Sequence, residues 1–161
     1  MKHLKVMVLV LTIAAVLLWT VNIDVLAVRL GEDMIYAIRM NEEKSFSIRW
    51  THSVEKEEWE EFFQFEGENI NLDSTRFKTF GAGVPNNAGT NSFIRDGWVY
   101  MVNINRYVGD ELTVRSGKTT GHRLIYQRQM FPLPYQQNSY VICRERIPFA
   151  SYLFHTISKN M

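Results

Sequence analysis

The stretch Trp50 to Phe63, WTHSVEKEEWEEFF, sets one histidine, one serine and five glutamates among aromatic residues. Three chemistries use those residue types. His52 and Glu55, joined by a later glutamate or by His122, are ligand types that suit zinc or manganese. Ser53, given a histidine oriented by a carboxylate, has the makings of a hydrolytic nucleophile. Carboxylates paired among Glu57, Glu58, Glu60 and Glu61 could divide into an acid and a base, as in glycoside hydrolysis.

Spacing weakens all three. Residues three apart on a strand point to opposite faces, so His52 and Glu55 converge only if a bulge or turn follows Ser53. HSVE lacks the strained G-x-S-x-G elbow of a nucleophile, and sequence neighbours alone cannot form a triad. Glu57 and Glu58 read as a solvated acidic turn leading into a strand. Glu61 differs, because alternation places it on one face with Trp59, Phe63 and Phe65. A carboxylate there must be paired or its burial is costly, and His52, Arg49 and Arg123 are the expected partners. A structural salt-bridge cluster is the alternative to a ligand pocket. Further along, Gly81 and Gly83 in GAGVP admit positive φ or close backbone approach, without the Lys-Ser/Thr of a phosphate loop. In TTGHRL, His122 and Arg123 open a strand after a glycine turn. The candidate polar pocket is therefore His52, Ser53, Glu55, Glu61, Gly81, Gly83 and His122, with no metal and no cofactor expected.

The elements that must position these residues are strands. Period-two alternation recurs in runs that begin at Asp24, Met34, Ser45, Glu60, Ser74, Asp96, Glu111, His122 and Tyr140, and no sustained helical stripe follows residue 23. Turn signals at Gly31, Asn41, Glu66, Arg95, Val108 and Ser116 separate them. The pattern predicts an all-β body, an antiparallel β-sandwich or partly closed barrel of about nine strands. Its longest loop is Gly81 to Ser92, and long loops are where binding functions concentrate. The tail from Ile147 is expected to form a short helix or cover an edge strand. A chain of 161 residues suits one core.

Lys2 and Lys5 precede an apolar run whose 18 residues, Val6 to Ile23, span about 27 Å as a helix, close to a bilayer core. Residues 1–23 thus read as a signal anchor or signal peptide, and residues 24–161 as an extracytoplasmic domain. Lys2 and Lys5 stay inside and Trp19 sits at the outer interface of a single-pass cell-membrane protein. The body is secreted instead if the weak A-x-A-like site at Val25 to Ala27 is cut.

A net charge of +1 gives no broad basic field, so nucleic acid is not an expected partner. The halves differ: residues 1–68 carry 7 Lys/Arg against 12 Asp/Glu, and residues 69–161 carry 11 against 5. Pairing of neighbouring strands accounts for that asymmetry. The single cysteine, Cys143, excludes an intramolecular disulfide, and alternation in YVICRERI makes it a small buried side chain.

RWTHSVEKEEWEEFF, TRFKTFGAGVP and TTGHRL, in this order behind an apolar N-terminus, resemble the bacterial domain-of-unknown-function family 1850 over about the whole body. His52 to Glu55 match its HSVE motif, Glu61 its following glutamate, Gly81 to Pro85 its GAG-x-P loop and Gly121 to Leu124 its GHRL-like stretch. The resemblance implies no reaction. It implies companionship with tripartite ATP-independent periplasmic (TRAP) transporters of the TAXI type, whose membrane or solute-binding subunits become possible partners. The tail around Tyr152 to His155 is longer and more aromatic than the family pattern. The leading expectation is a membrane-anchored accessory or binding domain that is not an enzyme. The alternatives are a hydrolase using His52 with Ser53 or a bound metal, and a purely structural envelope protein.

Overall fold

The computed structural model describes residues 2–78 and 91–158. The apolar start forms α1 (Lys2–Thr20), with none of its residues buried, and it is long and apolar enough to cross a membrane. Its two threonines turn inward on their own helix: Thr12 Oγ1 donates to the Val8 carbonyl at 2.8 Å and Thr20 Oγ1 to the Val16 carbonyl at 3.0 Å. Beyond Lys5 the outer surface of the helix is thereby left apolar. Val21 alone separates α1 from the first strand. Its N–H donates to the Leu17 carbonyl at 2.9 Å, and its carbonyl accepts from Phe149 N–H at 2.8 Å.

Among the described residues twelve strands make two antiparallel sheets. The smaller runs β2 (Asp33–Arg39), β1 (Asn22–Leu30), β12 (Tyr140–Pro148), β9 (Glu111–Val114). The larger runs β11 (Gln129–Pro132), β10 (Arg123–Tyr126), β3 (Ser45–Thr51), β4 (Glu58–Glu66), β5 (Asn69–Phe77), β7 (Trp98–Val102), β6 (Asn91–Arg95), with β8 (Arg106–Gly109) also on β5. Both sheets keep free edges, so the architecture is a sandwich and not a closed barrel. Nine strands match the alternating runs. The other three, β6, β8 and β11, are only four or five residues long and mostly exposed, so no buried face imprints a period on them. Asn91 and Ser92, expected in the long loop, belong to β6. Gly81 and Gly83 lie outside the described residues.

Leu26, Val28, Tyr140 and Ile142 of the small sheet pack against Phe46, Ile48, Phe63, Phe65, Ile70 and Leu72 of the large one. Phe46 stacks on Phe63 at 5.3 Å between ring centroids. In β1 four successive residues, Val25 to Val28, are all buried, because that strand is covered twice. Val25 and Ala27 face outward with Cys143 and Ile147 and meet Tyr152 of α2 (Phe149–Ser158). The tail is thus a helix, and it packs on the outer face of the small sheet against β12 and the edge strand β2. Burial pushes the Cys143 thiol up to about 12, as an inert core side chain.

Two-residue hairpins close four strand pairs. Gly31 (φ 61°) and Gly67 (φ 69°) each take the first position of their turns, where a II′ turn needs glycine. Asp96 (φ 50°) and Gly97 (φ 71°) have the two positive φ angles of a I′ turn. Gln127 (φ 50°) and Arg128 (φ 63°) have them as well, with no glycine to relieve the cost of about 1 kcal/mol per left-handed residue. Arg128→Gly should therefore raise unfolding stability by about 1 kcal/mol or somewhat less. Urea titration of the wild type and variant checks this, and an unchanged or lower midpoint contradicts it.

Candidate functional site

β3 and β4 are joined through the HSVE segment. His52 N–H donates to the Glu57 carbonyl at 2.8 Å, Lys56 N–H donates to the His52 carbonyl at 3.0 Å, and Lys56 is left-handed at φ 58°. A turn thus follows Ser53, and it brings His52 and Glu55 to one side. Both border a niche with Trp59, Phe77 and Lys78 that has room for about one water, roughly 10 Å³. Glu55 N–H donates to His52 Nδ1 at 3.3 Å, which leaves the ring proton of the neutral imidazole on Nε2. Ser53 is exposed at the turn and, among the described residues, bonds to neither histidine.

Antiparallel register then lines up a row of rings on the inner face of the large sheet. Trp50 pairs with Trp59, and Trp59 pairs with Phe77. His122, just before β10, lies on Trp50 at 5.5 Å and 5° between planes. Trp50 lies on Trp59 at 5.8 Å, and Trp59 lies against His52 at 5.7 Å and Phe77 at 4.9 Å. Each such pair adds about 0.5–1.5 kcal/mol beyond its buried area. The row is further pinned by Trp59 Nε1, which donates to Thr75 Oγ1 at 2.8 Å, and by Thr75 Oγ1, which donates to the Glu60 carbonyl at 3.0 Å. Two indoles stand between His52 and His122. The two histidines therefore do not converge on one ion.

The next inner row holds Leu124, Ile48, Glu61, Thr75 and Met101. Glu61 does share its face with Trp59, Phe63 and Phe65, as alternation requires. With Trp50, Phe63, Arg115 and His122 it borders a cleft of about 160 Å³ between the sheets. None of its three expected partners meets it. Arg49 instead bonds Glu60, and Arg123 pairs with Glu58, so Glu58 is not simply solvated. His52 is held at the turn. Among the described residues Glu61 makes no hydrogen bond; desolvation pushes its carboxyl up, tempered by the charge of Arg106. His122 Nδ1 lies 2.8 Å from Thr120 Oγ1, and burial pushes this imidazole down, towards the neutral form.

The fully buried carboxylate is Glu60, on the opposite face of the same strand at 1 % exposure. Desolvation pushes it up, but hydrogen bonds from Ser47 (2.6 Å), Arg49 (2.7 and 3.0 Å) and Arg76 (2.5 and 2.8 Å) outweigh that and hold it below the usual range. Arg76 in turn lies over Trp98 at 4.4 Å and donates to Tyr100 Oη at 3.0 Å. Sequence reasoning missed this cluster. Its signal was present in Ser47, Arg49 and Glu60, polar residues at the outward positions of adjacent strands, but only the register shows that they meet.

Fold and cleft together define an all-β sandwich domain carried behind one apolar helix. The family model described as a domain of unknown function, DUF1850, matches residues 46–133, and the chain belongs to that family. The match runs from β3 past β11 and takes in both niches and the whole ring row. No curated protein and no solved structure matches the chain.

Glu60 and Glu61 should bend the stability curve in opposite senses. The raised carboxyl of Glu61 penalises the folded state at neutral pH, and that penalty fades as pH falls through its folded value towards the ordinary glutamate range. The depressed carboxyl of Glu60 contributes stability above the ordinary range and loses it as pH falls through its lower folded value. Glu61 should thus make melting temperature rise on mild acidification, against the opposite slope of His122, whose lowered imidazole takes up its proton first in the unfolded chain, and Glu60 should then make it drop. Glu61→Gln should remove the rise, whereas Glu60→Ala, which strands Arg49 and Arg76, should cost about 3 kcal/mol at neutral pH. A curve for Glu61→Gln that overlays the wild type would refute the assignment.

Proposed function

We propose that this chain is a membrane-anchored, extracytoplasmic accessory or binding domain of a TAXI-type TRAP solute transporter, acting by contact and not by catalysis. Support for anchoring comes from α1, with Lys2 and Lys5 at its start and an apolar surface as long as a bilayer core. Membership of the family supports the transporter association, through the companionship that its motifs imply.

The observation that carries the binding reading is Glu61, a carboxylate unmatched by any hydrogen bond among the described residues, set beside His122 in a cleft between the sheets. A charge kept in such a place with only the field of Arg106 and no hydrogen bond costs stability, and sites that trade stability for contact are where function is sought. His52 serves this cleft indirectly, by holding the turn and the end of the ring row.

Co-purification in mild detergent is the primary test: the transporter's membrane or solute-binding subunits should be retained by the full-length protein. His52→Ala and Glu61→Gln should each lower solute uptake in cells several-fold while the protein still inserts in the membrane. Normal uptake in both variants, or no retained subunit, would sink the proposal.

A further inference from the structure

The small sheet has four strands and the large sheet eight, and β9 stands at the end of the small sheet's order. Among the described residues β9 pairs with β12 and with nothing on its other side. Every second residue of such a strand turns its N–H and C=O away from the sheet, where they are available to another chain. The cleft at Glu61 is bordered by Leu112, Thr113, Val114 and Arg115 in succession. Successive side chains of a strand point to opposite faces, so Leu112, Thr113 and Val114 of β9, with Arg115 just beyond it, share one cleft only along the strand's edge. The cleft therefore runs beside the free edge of β9.

Its polar groups want a donor. Glu61 accepts no hydrogen bond among the described residues, and Arg115, although it borders the cleft, does not pair with it. Two residues beyond β9 the Ser116 hydroxyl, in a residue 3 % exposed, has no hydrogen-bond partner among the described residues. A small ammonium compound would answer Glu61 but leave the strand edge unpaired. An extended polypeptide answers both, with its backbone on β9 and a cationic side chain in the cleft.

We propose that β9 receives an extended polypeptide segment of a partner protein, which adds as a further strand to the small sheet and places a Lys or Arg side chain against Glu61. This deepens, and rests on, the reading of the chain as a binding domain. Recognition is by strand addition: main-chain bonds supply affinity, and Glu61 selects the cation.

The probes are two N-acetylated, C-amidated pentapeptides, Val-Lys-Val-Lys-Val and Val-Glu-Val-Glu-Val, added to the full-length protein in mild detergent. Amide hydrogen exchange is followed at residues 111–116. The lysine peptide should slow exchange there and bind at least about tenfold more tightly than the glutamate peptide, the scale of one charge-assisted hydrogen bond. Glu61→Gln should remove that preference, and its unchanged far-ultraviolet circular dichroism would show that it folds. No slowing of exchange by the lysine peptide at millimolar concentration overturns the proposal. So does equal binding of the two peptides, or a preference that survives Glu61→Gln. Slowed exchange at 111–116 that grows with protein concentration alone, without peptide, would assign the edge to a second copy of the chain and also overturn it. Peptide binding as expected, but with no transporter subunit retained in co-purification, would leave strand addition standing and remove the transporter reading alone.

Discussion

Glu60 is a carboxylate taken out of water on the outer face of a sheet, and three strands must be in register to keep it there. Ser47 and Arg49 come from β3 and Arg76 from β5, all to the two oxygens of one side chain on β4. A slip of one residue in either pairing would send Glu60 to the other face and strand two guanidinium groups. Such a cluster is weak evidence of net stability, since an apolar replacement can do as well, but it specifies alignment strongly. That alignment is what sets Trp50 against Trp59 on the inner face, and with them everything that lines the cleft.

The candidate cleft is thus the reverse side of a structural lock. Glu60 and Glu61 are neighbours in sequence and opposites in circumstance: one has more donors than it needs, and the other has no hydrogen bond among the described residues. The HSVE turn belongs to the first kind of residue more than to the second. His52 spends its Nδ1 on the backbone of Glu55 and its ring on Trp59. The hairpin that it closes holds the first ring of the row.

Much of this was legible from alternation. The face of Glu61, the half-buried β3, the small buried side chain of Cys143 and the turn positions follow from a period of two and from turn chemistry. The acidic first half and basic second half do meet as paired charges in Asp24–Arg144, Glu58–Arg123 and Glu60–Arg76. Partner choice was not legible. Arg49 is, with His52 and Arg123, an expected partner of Glu61, yet a strand's faces permit contact only across matching parity, and Arg49 faces Glu60. Likewise β6, β8 and β11 were missed because exposed short strands are held by backbone pairing alone, which leaves no mark in side-chain type.

One residue, Val21, joins α1 to β1, and its carbonyl is tied to the first residue of α2. A link so short has no slack. Where α1 stays in a membrane as an anchor, so short a link couples the tilt of the helix to that of the sandwich. Whatever meets the cleft would then be met at a set height and bearing. A neighbour confined to the same plane meets that condition, and a freely diffusing one gains little from it.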